Sequence, residues 1–185
     1  MNCLVIVDMQ NDFITGALGT PEAEAVVDRV AARAEEGVRR GEALYFTRDT
    51  HGPDYLDTQE GKRLPVPHCI RGTAGWELAP QLAACAAGHT PIDKPAFGST
   101  VLGQVLKSRD EDLKKRGLPG VEKVTLVGLC TDICVISNAL LLKAFLPETE
   151  IAVDASCCAG VTPESHKNAL AAMRVCQITV ENEDA

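Results

Sequence analysis

Short apolar runs of strand type alternate with helical segments along the whole chain, and this alternation leaves few folds open. Leu4-Val5-Ile6-Val7 is the first run, unbroken by polar residues, as strands buried on both faces read. Thr20-Pro21 then offers an N-cap followed by proline at the first helical position. Val26, Val27, Val30, Ala31, Ala34 and Val38 follow at helical spacing with Arg and Glu on the other face, and Gly41 ends the helix. Ala43 to Thr47 is the second strand. After an irregular stretch over 48–75, a helix is expected from Trp76 to Ala87, a short strand from Thr90 to Asp93, and one or two helices from Ser99 to Lys115. A strand at Lys123–Val127 leads into a strongly apolar helix over Asp132–Leu146. Another strand follows at Glu150–Val153, then a helix capped by Thr162-Pro163 and running to Val175, and a last strand at Gln177–Val180. Six strands separated by helices predict α/β architecture: a three-layer, doubly wound domain around a six-stranded parallel sheet, with residues 1–185 forming one domain.

The balance of charge narrows the partners. The formal net charge is −8, and no Lys/Arg cluster rises above scattered surface charge, so nucleic acid is not an expected partner. The most apolar region, Leu126 to Leu146, is interrupted by Asp132, Asn138 and Lys143; it reads as a buried helix, not a membrane span. Its apolar breadth exceeds one face, which implies full cover or a subunit contact in a homo-oligomer. Several of the 8 cysteines fall inside apolar runs, and Met1-Asn2-Cys3 opens a strand-like pattern, not a signal peptide. A reduced, cytoplasmic protein is expected.

Three polar residues stand at strand ends. Val124 to Val127 passes through Gly128 into a helical pattern with Cys134 in its first turn, where free backbone N–H groups and the helix dipole would lower a thiol pKa. A buried structural cysteine fits the same segment. Asp8 closes the first strand and Lys94 follows the short third one. Singly, these suit a turn cap and a surface charge. Together they place an acid, a cation and a thiol at the carboxyl ends of different parallel strands, where open α/β sheets form crevices. Nucleophilic catalysis needs those three groups.

The segments Val-Asp-Met-Gln-Asn-Asp-Phe (7–13), Lys-Pro-Ala-Phe-Gly-Ser-Thr (94–100) and Gly-Leu-Cys-Thr-Asp-Ile-Cys (128–134) resemble the signature of the isochorismatase-like cysteine hydrolase superfamily over essentially the whole chain. The resemblance implies a catalytic triad of Asp8, Lys94 and Cys134. It also implies a cis peptide at Leu129-Cys130 and an oxyanion hole formed by the N–H groups of Cys130 and Cys134. A disulfide or metal pair of Cys130 with Cys134 is the competing reading of that spacing.

The irregular stretch holds a second constellation: Asp49, His51, Glu60 and His68. Two imidazoles with carboxylates suit zinc, iron or manganese, although spacing alone more often marks a solvated polar loop. Asp49, His51 and His68 are similar to the metal ligands of the nicotinamidase subgroup, with Glu60 as a fourth, outer or direct. His68-Cys-Ile-Arg-Gly-Thr-Ala-Gly75 resembles that subgroup as well. Phe13, Leu64 and Phe97 match pocket-wall positions, with Leu64 nearest the place of a stacking aromatic and Phe97 in place of a frequent tyrosine. The resemblance therefore implies a metal-dependent amidase carrying one divalent ion, zinc first, and acting on a small-molecule amide such as nicotinamide. The alternatives are a metal-independent hydrolase of an N-carbamoyl or ureido amide within the superfamily, and a non-catalytic binding or thiol-redox protein. Trp76 is expected to cap the core beside the loop, Cys157-Cys158 to pack, and His89 and His166 to be ordinary surface or turn residues.

Overall fold

The computed structural model describes residues 1–184. Six strands form the sheet: β1 (Asn2–Val7), β2 (Ala43–Asp49), β3 (Ile92–Lys94), β4 (Lys123–Leu129), β5 (Glu150–Ala159) and β6 (Thr179–Glu181). Every pairing is parallel, in the order β3-β2-β1-β4-β5-β6. The order reverses between β1 and β4, and that switch point opens a crevice at the carboxyl ends of both strands. Side chains of β1 alternate between two cores. Cys3, Val5 and Val7 face one, with Leu102, Leu106, Leu142 and Leu170, while Leu4 and Ile6 face the other, with Val27, Val30 and Phe46. Burial on both faces is why this run carries no polar alternation.

The helices are α1 (Asn11–Ile14), α2 (Pro21–Arg40), α3 (Gln59–Arg63), α4 (Ala83–Ala86), α5 (Thr100–Lys115), α6 (Ile136–Phe145) and α7 (Pro163–Val175). Local chemistry sets the long ones. Thr20 Oγ1 accepts from Ala23 N–H, and Gly41, at φ 72°, closes α2. Ser99 caps α5, and Thr162 with Ser165 forms a capping box on α7. Val38 departs from expectation: it is exposed. The buried place in that turn belongs to Gly37, where an added Cβ would press on Leu4 and Glu42.

The span Trp76–Ala87 is not one helix. Ala79 is extended ahead of Pro80, its N–H bonds Met9 O, and Gln10 bridges Leu78. Only a 3-10 turn (Pro80–Leu82) and the short α4 follow, because proline disfavours helical backbone at the residue before it. The stretch 48–75 carries a 3-10 turn (Tyr55–Asp57) and α3. Cys157 and Cys158 lie buried in the extended end of β5. Among the described residues no helix is long and apolar enough to cross a membrane.

Candidate active site

Asp8 ends β1 in the left-handed region, at φ 48°, which Asp tolerates better than most residues. Its side chain is fully buried, and Thr47 Oγ1, the last inward residue but one on β2, donates to Oδ1 at 2.6 Å. Lys94 ends β3. Its ammonium lies 2.7 Å from Asp8 Oδ2, 3.3 Å from Cys134 Sγ and 3.4 Å from Asp49 Oδ1, and donates to Ala96 O. The expected acid, cation and thiol are therefore brought together.

Cys134 does not sit in the first turn of a regular α-helix. The segment Thr131–Val135 forms a single π turn ahead of α6, with the N–H groups of Ile133 and Val135 both bonded to Cys130 O. The Leu129-Cys130 peptide bond is cis. Gly128, at φ 115°, lies where a Cβ would fall on the Val7 carbonyl, so only glycine lets β4 run this close to β1.

The electrostatics also differ from the expectation of a lowered thiol pKa. Burial pushes the Cys134 thiol well above its ordinary range and the adjacent Asp8 carboxylate adds to this, while Lys94 opposes both. Burial likewise raises Asp8 against the pull of Lys94. Burial opposes the charge on Lys94, yet Asp8, Cys134 and Asp49 together raise its pKa. Burial thus favours the neutral thiol on Cys134, so attack by sulfur requires handing over its proton.

The four residues of the long loop converge. Donor atoms of Asp49, His51, Glu60 and His68 all lie within 4.8 Å of one another. His51 Nε2 is 2.9 Å from Asp49 Oδ2 and 3.7 Å from Glu60 Oε1, and His68 Nε2 is 3.5 Å and 3.8 Å from the same atoms. Ligands about 2.0–2.1 Å from a tetrahedral zinc are separated by roughly 3.3–3.4 Å, so this spacing fits one ion. His68 Nδ1 meets Val66 O at 2.8 Å, which makes Nδ1 the protonated nitrogen and leaves the Nε2 lone pair facing the cluster. A backbone bridge between His51 and Ile70 folds the loop back, and Thr58, capping α3, presents Glu60.

Both constellations open on one cavity of about 360 Å³. Asp49, Glu60 and His68 line it together with Cys130, Ile133 and Cys134, and so do Phe13, Leu64 and Phe97, with Leu18, Ala96, Gln59 and Arg63. Both Cys130 and Cys134 are free thiols.

Several further residues hold the site in place, none of them assigned that task from the sequence. Gln10, fully buried, bonds both the N–H and the carbonyl of Asp49 and also Trp76 O. Asn138 donates to Phe97 O and Cys134 O and accepts from Ser99 N–H, tying the 94–99 loop to the cysteine turn. Tyr55 packs against both imidazoles, with centroids 4.7 Å and 5.0 Å away, and its hydroxyl donates to Leu64 O. Trp76 donates to Thr50 and carries Arg48 on its face at 3.6 Å. His166 is half-buried and bonded to Thr131, unlike an ordinary surface residue.

The family model of the isochorismatase domain matches residues 2–184. The chain belongs to the isochorismatase family. This isochorismatase-family chain is 29% identical over 194 residues to the nicotinamidase/pyrazinamidase of Mycobacterium tuberculosis, covering 96% of this chain and 97% of that protein. It is 28% identical over 195 residues to the nicotinamidase of Escherichia coli, covering 93% and 89%. The structure of pyrazinamidase/nicotinamidase from Streptococcus mutans superposes with a TM-score of 0.80 at 27% identity, over 97% of this chain and 99% of that one. With that membership and these relatives, the chain is a hydrolase of amide bonds.

Proposed function

We propose that the chain is a metal-dependent cysteine amidohydrolase that converts nicotinamide to nicotinate and ammonia, an activity suited to NAD salvage. The observation that carries this reading is the position of Lys94, whose ammonium touches the Asp8–Cys134 pair on one side and Asp49 of the four-residue cluster on the other. Cys134 attacks the carboxamide carbon while its proton passes to Asp8. The N–H groups of Cys130 and Cys134 hold the oxyanion of the tetrahedral adduct. Asp8 protonates the departing ammonia, leaving a thioester on Cys134. Asp8 then takes a proton from water, whose oxygen attacks the thioester and frees the acid and the thiol. Lys94 keeps its charge throughout and orients Asp8.

Asp49, His51, Glu60 and His68 would hold one divalent ion; zinc suits this donor set best, with iron or manganese also compatible. When bound, such an ion supplies a Lewis-acid hold on the pyridine nitrogen or on a water beside it. Phe13, Leu64 and Phe97 enclose the ring. Leu64 contributes packing without the extra stacking energy of an aromatic, about 0.5–1.5 kcal/mol.

The test is ammonia release from nicotinamide and from ureido amides, with and without chelator, by the wild-type chain and Cys134→Ala. Turnover of nicotinamide that stops on metal removal, and its loss in a folded Cys134→Ala chain of normal metal content, are expected. Normal ammonia release by Cys134→Ala sinks the mechanism. Nicotinamide turnover that survives complete metal removal sinks the role of the cluster.

A further inference from the structure

The turn that carries Cys130 and Cys134 is held from behind by the start of α7. Thr131, fully buried, places Oγ1 2.8 Å from His166 Nδ1, and the Asp132 carboxylate accepts from Val161 N–H at 3.2 Å. The anchor is rigid: His166 N–H bonds Thr162 O, inside the turn that the Thr162–Ser165 capping box closes. His166 does not line the substrate cavity. It lines a separate one of about 230 Å³ on the other side of the turn, with Glu22, Cys158 and Thr162.

Among the described residues the Thr131 hydroxyl has no hydrogen-bond partner other than His166. Its proton therefore goes to Nδ1, which leaves the imidazole neutral with its own proton on Nε2. A protonated imidazole must donate from Nδ1, so the hydroxyl would have to turn and leave a buried O–H without an acceptor.

We propose that His166 is a positioning residue: its neutral Nδ1 accepts the Thr131 hydroxyl proton, and this bond aims the turn bearing Cys130 and Cys134 at the substrate carbonyl. This rests on the reading of Cys134 as nucleophile. Burial holds the imidazole below its ordinary pKa; Asp132 on the turn and Glu183 beyond β6 oppose this, and Lys167 on α7 reinforces it. Glu22 of α2 is the remaining charge facing the same cavity. The bond is thus intact at neutral pH and reverses its polarity in acid.

The test uses the metal-loaded chain and the variants His166→Ala, His166→Asn, Thr131→Val and the Ala/Val pair. Their kcat, KM and rate of Cys134 alkylation by iodoacetamide are read from about pH 5 to 8. His166→Ala and Thr131→Val should each lower kcat about tenfold with KM nearly unchanged, and the pair should be no worse than either alone. His166→Asn keeps an acceptor near the Nδ1 position but does not titrate. It should restore most of the neutral-pH rate and lose the acid-side inflection of the wild type. Folding is checked by thermal melting, and His166→Asn keeps the comparison open if the alanine variant is unstable. Folded variants with wild-type kcat and pH profile overturn the proposal, as do fully additive losses in the pair. If the wild-type chain hydrolyses no amide, the amidase reading fails by itself. Alkylation then decides the positioning claim: an unchanged rate and pH dependence in His166→Ala overturns it, and a shifted one upholds it.

Discussion

Lys94 is an ammonium with 1% of its surface exposed, and its two carboxylate neighbours are Asp8 and Asp49. Removing it would leave both carboxylates buried without their shared cation. Lys94→Met should cost about 3–5 kcal/mol of stability at neutral pH, measured by urea unfolding. The sign with pH follows from Asp8, whose pKa burial already raises and which loses its main opposing charge in the variant. A group raised in the folded state favours folding in acid and disfavours it as pH rises. The deficit of Lys94→Met should therefore shrink as pH falls from neutral towards the ordinary carboxylate range. A deficit constant with pH would mean Asp8 is not the group being relieved. In the same variant Asp8 loses the ammonium that favours its ionised form, so it is a poorer acceptor of the Cys134 proton and kcat should fall by about 10²–10⁴. Asp8, Lys94 and Cys134 stood out in the sequence because each lies at or past the carboxyl end of a strand and bears a charge or a thiol, and because segments 7–13, 94–100 and 128–134 together carry the family resemblance. Gln10, Thr47 and Asn138 bond the same centre but are neutral polar residues. Nothing in their local pattern separates a structural hydrogen bond from a solvated one; only the assembled sheet does.

Elements whose ends are written in local chemistry were read correctly. Thr20 and Gly41 bracket α2, Ser99 opens α5, and Thr162-Pro163 opens α7. The π turn at Thr131–Val135 and the extended backbone at Leu78–Ala79 were not, because both are set by neighbours distant in sequence: the cysteine turn by α7, the 78–79 segment by Met9 and Gln10. The α5–β4 connection shows such an anchor in a testable form. Asp110 on α5 accepts from Val121 N–H at 2.8 Å and from Lys114 at 2.7 Å. Burial opposes its ionisation, but Lys114 and the Val121 N–H prevail and lower its pKa. A lowered carboxylate contributes stability above its unfolded pKa and loses it as pH falls through the folded value. Asp110→Asn should thus be less stable than wild type by about 1.5–3 kcal/mol at neutral pH and match it in strong acid. Equal stability at neutral pH would show that the carboxylate does not hold this connection.

On the scale of the molecule, the doubly wound order collects at one sheet edge groups that lie far apart in sequence: Asp8, Asp49, Lys94 and Cys134 follow or end β1, β2, β3 and β4. The sheet brings Asp49 there unaided. His51, Glu60 and His68 depend instead on a loop whose order rests on a backbone bridge at His51–Ile70, the packing of Tyr55 and the contacts of Trp76. An ion that joins these ligands binds the folded chain and not the unfolded one, so it stabilises by mass action, about 2.7 kcal/mol at a hundredfold excess over Kd. For a chain of this size that corresponds to a Tm shift of roughly 5–10 °C. Stripping the metal should lower Tm by this amount. It should also make the segment between His51 and His68 the first site of limited proteolysis, while fragments bearing β1 and β4 remain protected. A Tm indifferent to chelator and zinc, with proteolysis unchanged, would show that the four side chains converge without binding an ion. Cleavage that instead begins in α5 or α7 on stripping would mean the ion supports the sheet as a whole, not the loop alone.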